Sequence, residues 1–206
     1  MLYLVTDENN KTIQHQWGEN ITHEESNPNY LFNTYDDPHL AHFLFPAYDT
    51  FTQPKLWECH GEQEVNATDI RLKFRKLTTL KEIDIPLPTK QQRINFAILI
   101  GLNLVLNQDF KNWAVNYLNE TDQSKEAAYA LSEKINYQSL RSDDYLNCVH
   151  PILGAILLND ETFFSAMTAH RAWFDSLEMP QQINLKQLAQ ISMSINGKMI
   201  AEYFGN

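Results

Sequence analysis

The sequence changes character at Pro86-Leu87-Pro88, and this change limits the fold more than any other feature. Before it, short apolar segments alternate with polar turn residues, a pattern typical of β-strands. After it, Thr89 and Gln92 form a capping-box pattern that begins a strongly apolar helix reaching Leu106. The sequence therefore predicts an α+β fold in which strands come first and helices follow.

We expect a strand-rich region at residues 1–86 and a helical region at 87–206, packed together as one compact unit. Strands are predicted at 2–6, 12–17, 30–34, 55–60 and 71–80. An acidic cap followed by proline, Asp36-Asp37-Pro38, predicts one short helix within this region. Later helices are predicted at 109–119, 124–136, 143–158, 160–176 and 184–204.

The composition indicates a folded, acidic protein. Apolar residues make up 43% of the 206 residues, which excludes a disordered chain. The net charge of −10 argues against nucleic-acid binding, because that binding depends on Lys and Arg displacing counterions. Two cysteines, no signal-peptide pattern and a longest apolar run of 94–106, too short for a bilayer, predict a soluble cytoplasmic protein without a membrane segment.

Several short motifs follow one another over residues 2–130. They include LYLVTD at 2–7, QWG at 16–18, YDDPHLA at 35–41, PKLWECHG at 54–61 and QRINF at 92–96. In order and spacing they resemble an uncharacterised protein family, a domain of unknown function, found largely in bacteriophages and prophages. The resemblance implies a phage or prophage protein that acts on host machinery in the bacterial cytoplasm. Beyond Ala130 the chain departs from the alanine-rich tail of that family.

Charge is concentrated in the first 50 residues, where Lys11 is the only base against eight acids. Acid-rich loops of this kind favour a basic partner, because opposite charge speeds encounter and aids selectivity. We therefore predict an acidic interaction protein that binds and inhibits a host protein, such as a CRISPR or other defence effector. The predicted contact residues are Trp17, Glu19, Glu24, Glu25, Tyr35, Asp36 and Asp37.

A basic stripe is expected on the strand at 71–80. Arg71, Lys73 and Arg75 alternate with the apolar Leu72 and Phe74, which would face the core. The stripe could contact nucleic acid, lie against the acidic loops of the same chain, or be an ordinary solvated strand face. The last of these is the commonest case.

A small transferase is the alternative from another class. Short strands around one helix, with Glu58 late in a strand, resemble ADP-ribosyltransferase folds at the level of architecture alone. In that interpretation Glu58 is the catalytic group, in a cleft formed by Trp17, Tyr30, Tyr35, His39 and Trp57. Residues 1–70 contain no arginine to clamp a nicotinamide dinucleotide, and we predict no cofactor.

Two sets of residues carry metal-ligand chemistry. His39 and His42 share one helix face and could bind zinc with Asp36 or His60. Cys59-His60 and Cys148-x-His150 form a second, softer set, in which strand alternation would point Cys59 and His60 to opposite sides. Neither set contains a recognised zinc motif, so we predict no metal.

The last predicted helix carries an amphipathic stripe. Its apolar members are Leu185, Leu188, Ile191, Ile195, Met199 and Tyr203. Such a stripe is usually core. Its terminal position also permits a homodimer, which would suit a phage structural or assembly accessory.

Overall fold

The computed structural model describes residues 1–27, 30–65, 70–138, 148–176 and 183–194. They form two compact units, Met1–Leu87 and Pro88–Asn206, divided within the proline segment. The predicted α+β fold is confirmed: antiparallel strands lie mostly in the first half and helices mostly in the second, at 48% helix and 22% strand.

The first unit is built on one antiparallel sheet. Its strands are β1 (Leu2–Thr6), β2 (Thr22–Glu24), β3 (Phe32–Thr34), β4 (Lys55–Val65) and β5 (Leu72–Ile83). The order is β1-β4-β5-β2, and β3 also pairs with β5. The long hairpin of β4 and β5 is thus the centre of the sheet, and the short strands line its sides.

The sheet closes on itself through Tyr3 and Tyr35. The Tyr3 amide donates to the Tyr35 carbonyl at 2.8 Å, and the Tyr35 amide donates back to Tyr3 at 2.9 Å. Since Tyr35 directly follows β3, this bridge links β1 to the strand on the far side of β5. β1 therefore has partners on both of its edges, as in a small barrel.

The segment at 12–17 was predicted as a strand, and that prediction is wrong. It is a turn with one isolated bridge, between Lys11 and Gln16. The Thr12 amide donates to the His15 carbonyl at 3.0 Å, and the Trp17 amide donates to the Asn10 carbonyl at 2.7 Å, so the segment folds back on itself as a loop. The turn delivers Trp17 to the core of the unit.

An apolar cluster lies in the interior of the first unit. Its buried members are Leu4, Trp17, Phe32, Trp57, Cys59 and Leu77. The Trp17 indole N–H donates to Thr12 Oγ1 at 3.1 Å, and the Trp57 indole N–H donates to Thr6 Oγ1 at 3.2 Å. Both buried indoles therefore have the hydrogen-bond partner that burial demands.

The short helix α1 (Pro38–Leu44) forms where the sequence predicts it. The Asp37 carboxylate accepts the Leu40 amide at 2.8 Å, and proline occupies the first helical position. Pro46 ends the helix in a 3-10 turn, Phe45–Ala47. This turn directs the chain towards Tyr48 and Asp49.

The second unit is helical throughout its described part. Its helices are α2 (Lys90–Leu104), α3 (Gln108–Leu118), α4 (Lys125–Gln138), α5 (Val149–Leu157), α6 (Glu161–Ser176) and α7 (Leu185–Ser194). The predicted capping box is present: the backbone amide of Gln92 donates to Thr89 Oγ1, and the backbone amide of Thr89 donates to Gln92 Oε1. α2 contacts α3, α5, α6 and α7, so it is the central helix.

Two of the predicted helices extend beyond the described residues. The segment at 139–147 lies outside them, and the described helix begins at Val149. In the predicted last helix, Leu185 and Leu188 are buried core residues. Ile195, Met199 and Tyr203 lie outside the described part, so homodimerisation through this helix stays a prediction. Of the helices in the described ranges, none has the length and apolarity needed to cross a membrane.

Close helix packing at Gly101 leads to a first prediction. A methyl group there would lie 2.5 Å from Phe110 Cζ and 2.7 Å from Ile152 Cδ1. Gly101→Ala should therefore lower the free energy of unfolding by about 1–3 kcal/mol through overpacking, measured by urea denaturation. Glu133→Ala, on the exposed face of α4, is the control and should change it by less than about 0.5 kcal/mol. An unchanged Gly101→Ala protein would contradict this packing.

Candidate functional site

A cavity of about 330 Å³ lies in the first unit, between the turn at 12–15, β3 and the 3-10 turn. Its aromatic wall residues are Tyr30, Phe32, Tyr35, Phe45 and Tyr48. Its polar wall residues include His15, Glu25, Asn33, Asp49 and Arg71. The volume is at the lower end of the range for small-molecule pockets, about 300–1,000 Å³.

Arg71, Tyr48 and Asp49 form one cluster on the cavity wall. The Arg71 guanidinium lies over the Tyr48 ring, with Cζ 3.6 Å from the ring centroid, in a cation–π contact. Burial raises the pKa of the Asp49 carboxyl above its ordinary value, and the charge of Arg71 opposes part of that rise. The amides of Tyr48 and Asp49 both donate to the Phe45 carbonyl at 2.9 Å, which fixes the two side chains at the cavity.

A histidine–glutamate pair also lines the cavity. His15 Nε2 lies 2.7 Å from Glu25 Oε1, and the two side chains are 21% and 16% exposed. The His15 ring meets Phe32 edge-on at 5.1 Å between centroids, which fixes its orientation. The Glu25 amide donates to the Arg75 carbonyl at 2.8 Å, so β5 anchors the glutamate. Glu25 is thus held by His15 at its carboxylate and by β5 at its backbone.

Asn33 brings an unused acceptor to the cavity wall. Its Nδ2 donates a long hydrogen bond of 3.5 Å to the Leu31 carbonyl. Its Oδ1 is buried and accepts no hydrogen bond from any described residue. A buried carbonyl oxygen without a donor costs free energy, so a ligand that supplied a donor would recover that cost.

The predicted aromatic contacts lie in the interior. Trp17 is 2% exposed and belongs to the core cluster, so its role is in the fold. Tyr35 is 5% exposed and closes the sheet, but it also lines the cavity. The cavity is therefore the place where a ligand can contact the Tyr35 side chain.

The five predicted acidic contacts have different environments. Glu19, Glu24 and Asp36 are exposed to solvent. Asp37 is buried and caps α1, and Glu25 is paired with His15. The surface available to a macromolecule therefore comprises the three exposed acids.

Glu58, the catalytic residue of the alternative interpretation, is part of an ion pair. Its Oε2 lies 3.4 Å from Lys81 Nζ on the facing strand, and its side chain is 20% exposed. Opposite it on β1 is Tyr3, whose pKa is raised by burial and, to a lesser extent, by the charge of Glu58. Glu58 does not line the cavity, and Trp57 of the predicted cleft is a core residue.

The residues of the predicted basic stripe have different environments. Arg71 lines the cavity beside Asp49, so this member lies against an acid of the same unit. Lys73 is opposite Asn33 of β3 in the sheet register. Phe74 is buried as predicted, whereas Leu72 is only half-buried.

The residues of the two metal-ligand sets are separated. Within the described ranges, no three His, Cys, Asp or Glu side chains are grouped as metal ligands. His42 and Cys59 are buried, whereas His60 is exposed, so Cys59 and His60 face opposite sides. Burial raises the pKa of Cys59 and of Cys148 to about 12, which disfavours the thiolate that binds metal.

The cavity brings together residues that sequence reasoning had missed. His15, Asn33, Tyr48 and Asp49 were not predicted as site residues, and Arg71 was considered only as part of the stripe. The sequence offered one hint: Arg71 is the first arginine in the chain, and arginine is a residue that often contacts ligands in pockets. No protein-family model matches the chain, and no curated protein or solved structure is significantly similar to it.

The burial of Trp17 gives a second prediction. Trp17→Ala should destabilise the first unit by about 3–5 kcal/mol, because it leaves a large cavity in the core. Urea denaturation followed by circular dichroism measures this. The control is Tyr30→Ala, at the cavity rim, where the side chain is 49% exposed and a much smaller loss is expected. A Trp17→Ala protein as stable as the control would contradict the core position.

The raised pKa of Asp49 gives a third prediction. A carboxyl whose folded pKa is raised stabilises the fold below its unfolded value of 3.8, and this contribution is lost as pH rises through the folded pKa. Asp49→Asn should therefore be at least as stable as the wild type at pH 7, and its advantage should shrink towards pH 3.8. Urea denaturation of both proteins across this range measures the difference. A variant less stable than the wild type at pH 7 would show that attraction to Arg71 outweighs burial.

Proposed function

We propose that this protein acts by binding, and that its acidic first unit contacts a positively charged surface of a host protein. The observation that carries the proposal is how charge is distributed on the sheet. Three lysines of β4 and β5 lie within ion-pair distance of an acid on the facing strand: Lys55 with Glu82 at 3.7 Å, Lys76 with Glu62 at 3.0 Å and Lys81 with Glu58 at 3.4 Å. Their charge is balanced locally, whereas Glu19 and Glu24 remain exposed.

The partner that suits this surface is a protein with an extended basic face. Proteins that bind nucleic acid carry such faces, because Lys and Arg contacts to phosphates supply much of their affinity. An acidic surface that occupies the face would compete with the nucleic acid and inhibit the protein. The resemblance to phage and prophage proteins favours a bacterial host target, and a CRISPR or other defence effector fits this chemistry.

The transferase alternative has less support. It needs Glu58 beside a cavity that admits a substrate, and Glu58 instead faces Lys81 across the sheet. An assembly accessory would need a dimer surface, for which the described residues offer no specific observation. Binding through the first unit is therefore the function that the geometry favours.

Charge reversal of the exposed acids tests the proposal. The triple variant Glu19→Lys, Glu24→Lys, Asp36→Lys should weaken partner binding about tenfold or more at low salt, because it removes attraction and adds repulsion. Glu25 and Asp37 are left unchanged, since the first is paired with His15 and the second caps α1. The matched control reverses Glu120, Glu126 and Glu133, which are exposed on the second unit.

The partner is first captured from a nuclease-treated bacterial lysate with the tagged full chain and identified by mass spectrometry. Its dissociation constant is then measured for the wild type and both variants at two salt concentrations. We expect the wild type and the control to bind alike, with affinity that falls as salt rises. Equal loss in both variants would contradict the first unit as the contact surface, and recovery of the tagged chain alone would contradict the binding function.

A further inference from the structure

We propose that the cavity of the first unit is a receptor for one arginine side chain of the basic partner. The inference rests on the proposed function in assigning that arginine to the partner protein. The cavity itself, with its carboxylates, aromatic rings and unused acceptor, specifies the guanidinium chemistry.

The charges of the cavity wall favour a cation. Two carboxylates, of Glu25 and Asp49, line it, against one guanidinium, that of Arg71. The charge of Arg71 attracts Asp49, and Glu25 Oε1 lies 2.7 Å from His15 Nε2. A second guanidinium would pair with a carboxylate in a largely buried setting, where charge-assisted hydrogen bonds are strongest. A phosphate group would instead meet two like charges, whereas a guanidinium meets one, that of Arg71.

The aromatic wall favours a planar cation over an ammonium group. Guanidinium groups stack on aromatic faces, and Arg71 already does so on Tyr48 within the same cavity. Tyr30 and Tyr35 provide further rings on the wall. Tyr30 is 49% exposed at the rim, where it can contact the aliphatic stem of an incoming side chain.

The amide of Asn33 supplies the matching acceptor. Asn33 is one of the residues that line the cavity, and its buried Oδ1 receives no donor from the described residues. Its Nδ2 donates a long hydrogen bond of 3.5 Å to the Leu31 carbonyl, and a rotation of the amide that turned Oδ1 towards the cavity would let this oxygen accept from a ligand. Arginine carries five N–H donors in a fixed fork and can satisfy this oxygen and a carboxylate together.

The test uses the full chain and a small probe. N-acetyl-arginine methylamide is titrated into ¹⁵N-labelled protein and followed by amide chemical shifts. We expect saturable shifts centred on Asn33, Tyr48, Asp49 and Arg71. The neutral isostere N-acetyl-citrulline methylamide should bind about tenfold more weakly, because it keeps the shape and loses the charge. Nα-acetyl-lysine methylamide, whose ε-amine is free, should bind with an affinity between those of the other two probes.

Two variants and one control locate the site. Asp49→Asn and Asn33→Leu should each weaken binding of the arginine probe about tenfold. The first removes a charge, and the second removes the acceptor. Glu62→Gln makes the same change of charge on β4, outside the cavity, and should leave binding unchanged. Preserved dispersion of the amide spectrum shows that each variant is folded.

Equal binding of the citrulline and arginine probes would overturn the proposal, as would shifts spread over the acidic surface and unaffected by Asp49→Asn. Preferred binding of adenosine monophosphate would also overturn it, in favour of a nucleotide site. If the partner binds the full chain but the arginine probe does not, the cavity inference fails and the proposed function stands. If the probe binds the cavity but charge reversal leaves the partner unaffected, the receptor stands and the acidic contact surface fails.

Discussion

Two backbone hydrogen bonds between Tyr3 and Tyr35 determine the shape of the first unit. Each such bond contributes only about 0.5–1.5 kcal/mol, but this pair lies where β1 would otherwise have an open edge. The bridge fixes the chain immediately before Asp37, so the cap of α1 is placed by the sheet. α1 and its 3-10 turn then bring Tyr48 and Asp49 to the cavity. Closure of the sheet is therefore the condition for the site.

The cavity keeps charged groups where burial disfavours them. Asp49 has a raised pKa despite the nearby Arg71, and the Asn33 carbonyl is buried without a donor. A core optimised for stability alone would replace such groups with apolar side chains of similar size. Groups retained at a cost in stability are typical of sites selected for binding. The same unit thus combines an apolar scaffold around Trp17 with a cavity wall that contains buried polar groups.

Local signals in the sequence predicted much of the fold. The capping pair Thr89 and Gln92, and the Asp37-Pro38 helix start, act between neighbouring residues, so their chemistry can be read directly from the sequence. The turn at 12–17 was misread because its apolar Ile13 and Trp17 suggested a strand, whereas Ile13 is exposed and the Thr12 amide bonds the His15 carbonyl within the loop.

The site depended on contacts that no local pattern contains. Asp49 and Arg71 are 22 positions apart in the sequence, and His15 and Glu25 meet through a turn that was predicted as a strand. Trp17 illustrates the opposite error: an aromatic residue near acids was predicted as a contact, and the fold placed it in the core. Bringing these residues together required the register of β3 on β5. Contacts between neighbouring residues could therefore be predicted from the sequence, whereas the long-range contacts that form the cavity could not.

Each unit contains one buried cysteine, Cys59 in the first and Cys148 in the second. With pKa values near 12, both thiols are almost entirely protonated at neutral pH and react slowly with alkylating reagents while shielded. Opening of a unit returns its thiol to solvent and to ordinary reactivity. The chain thus carries a separate chemical reporter for the opening of each half, without any introduced label.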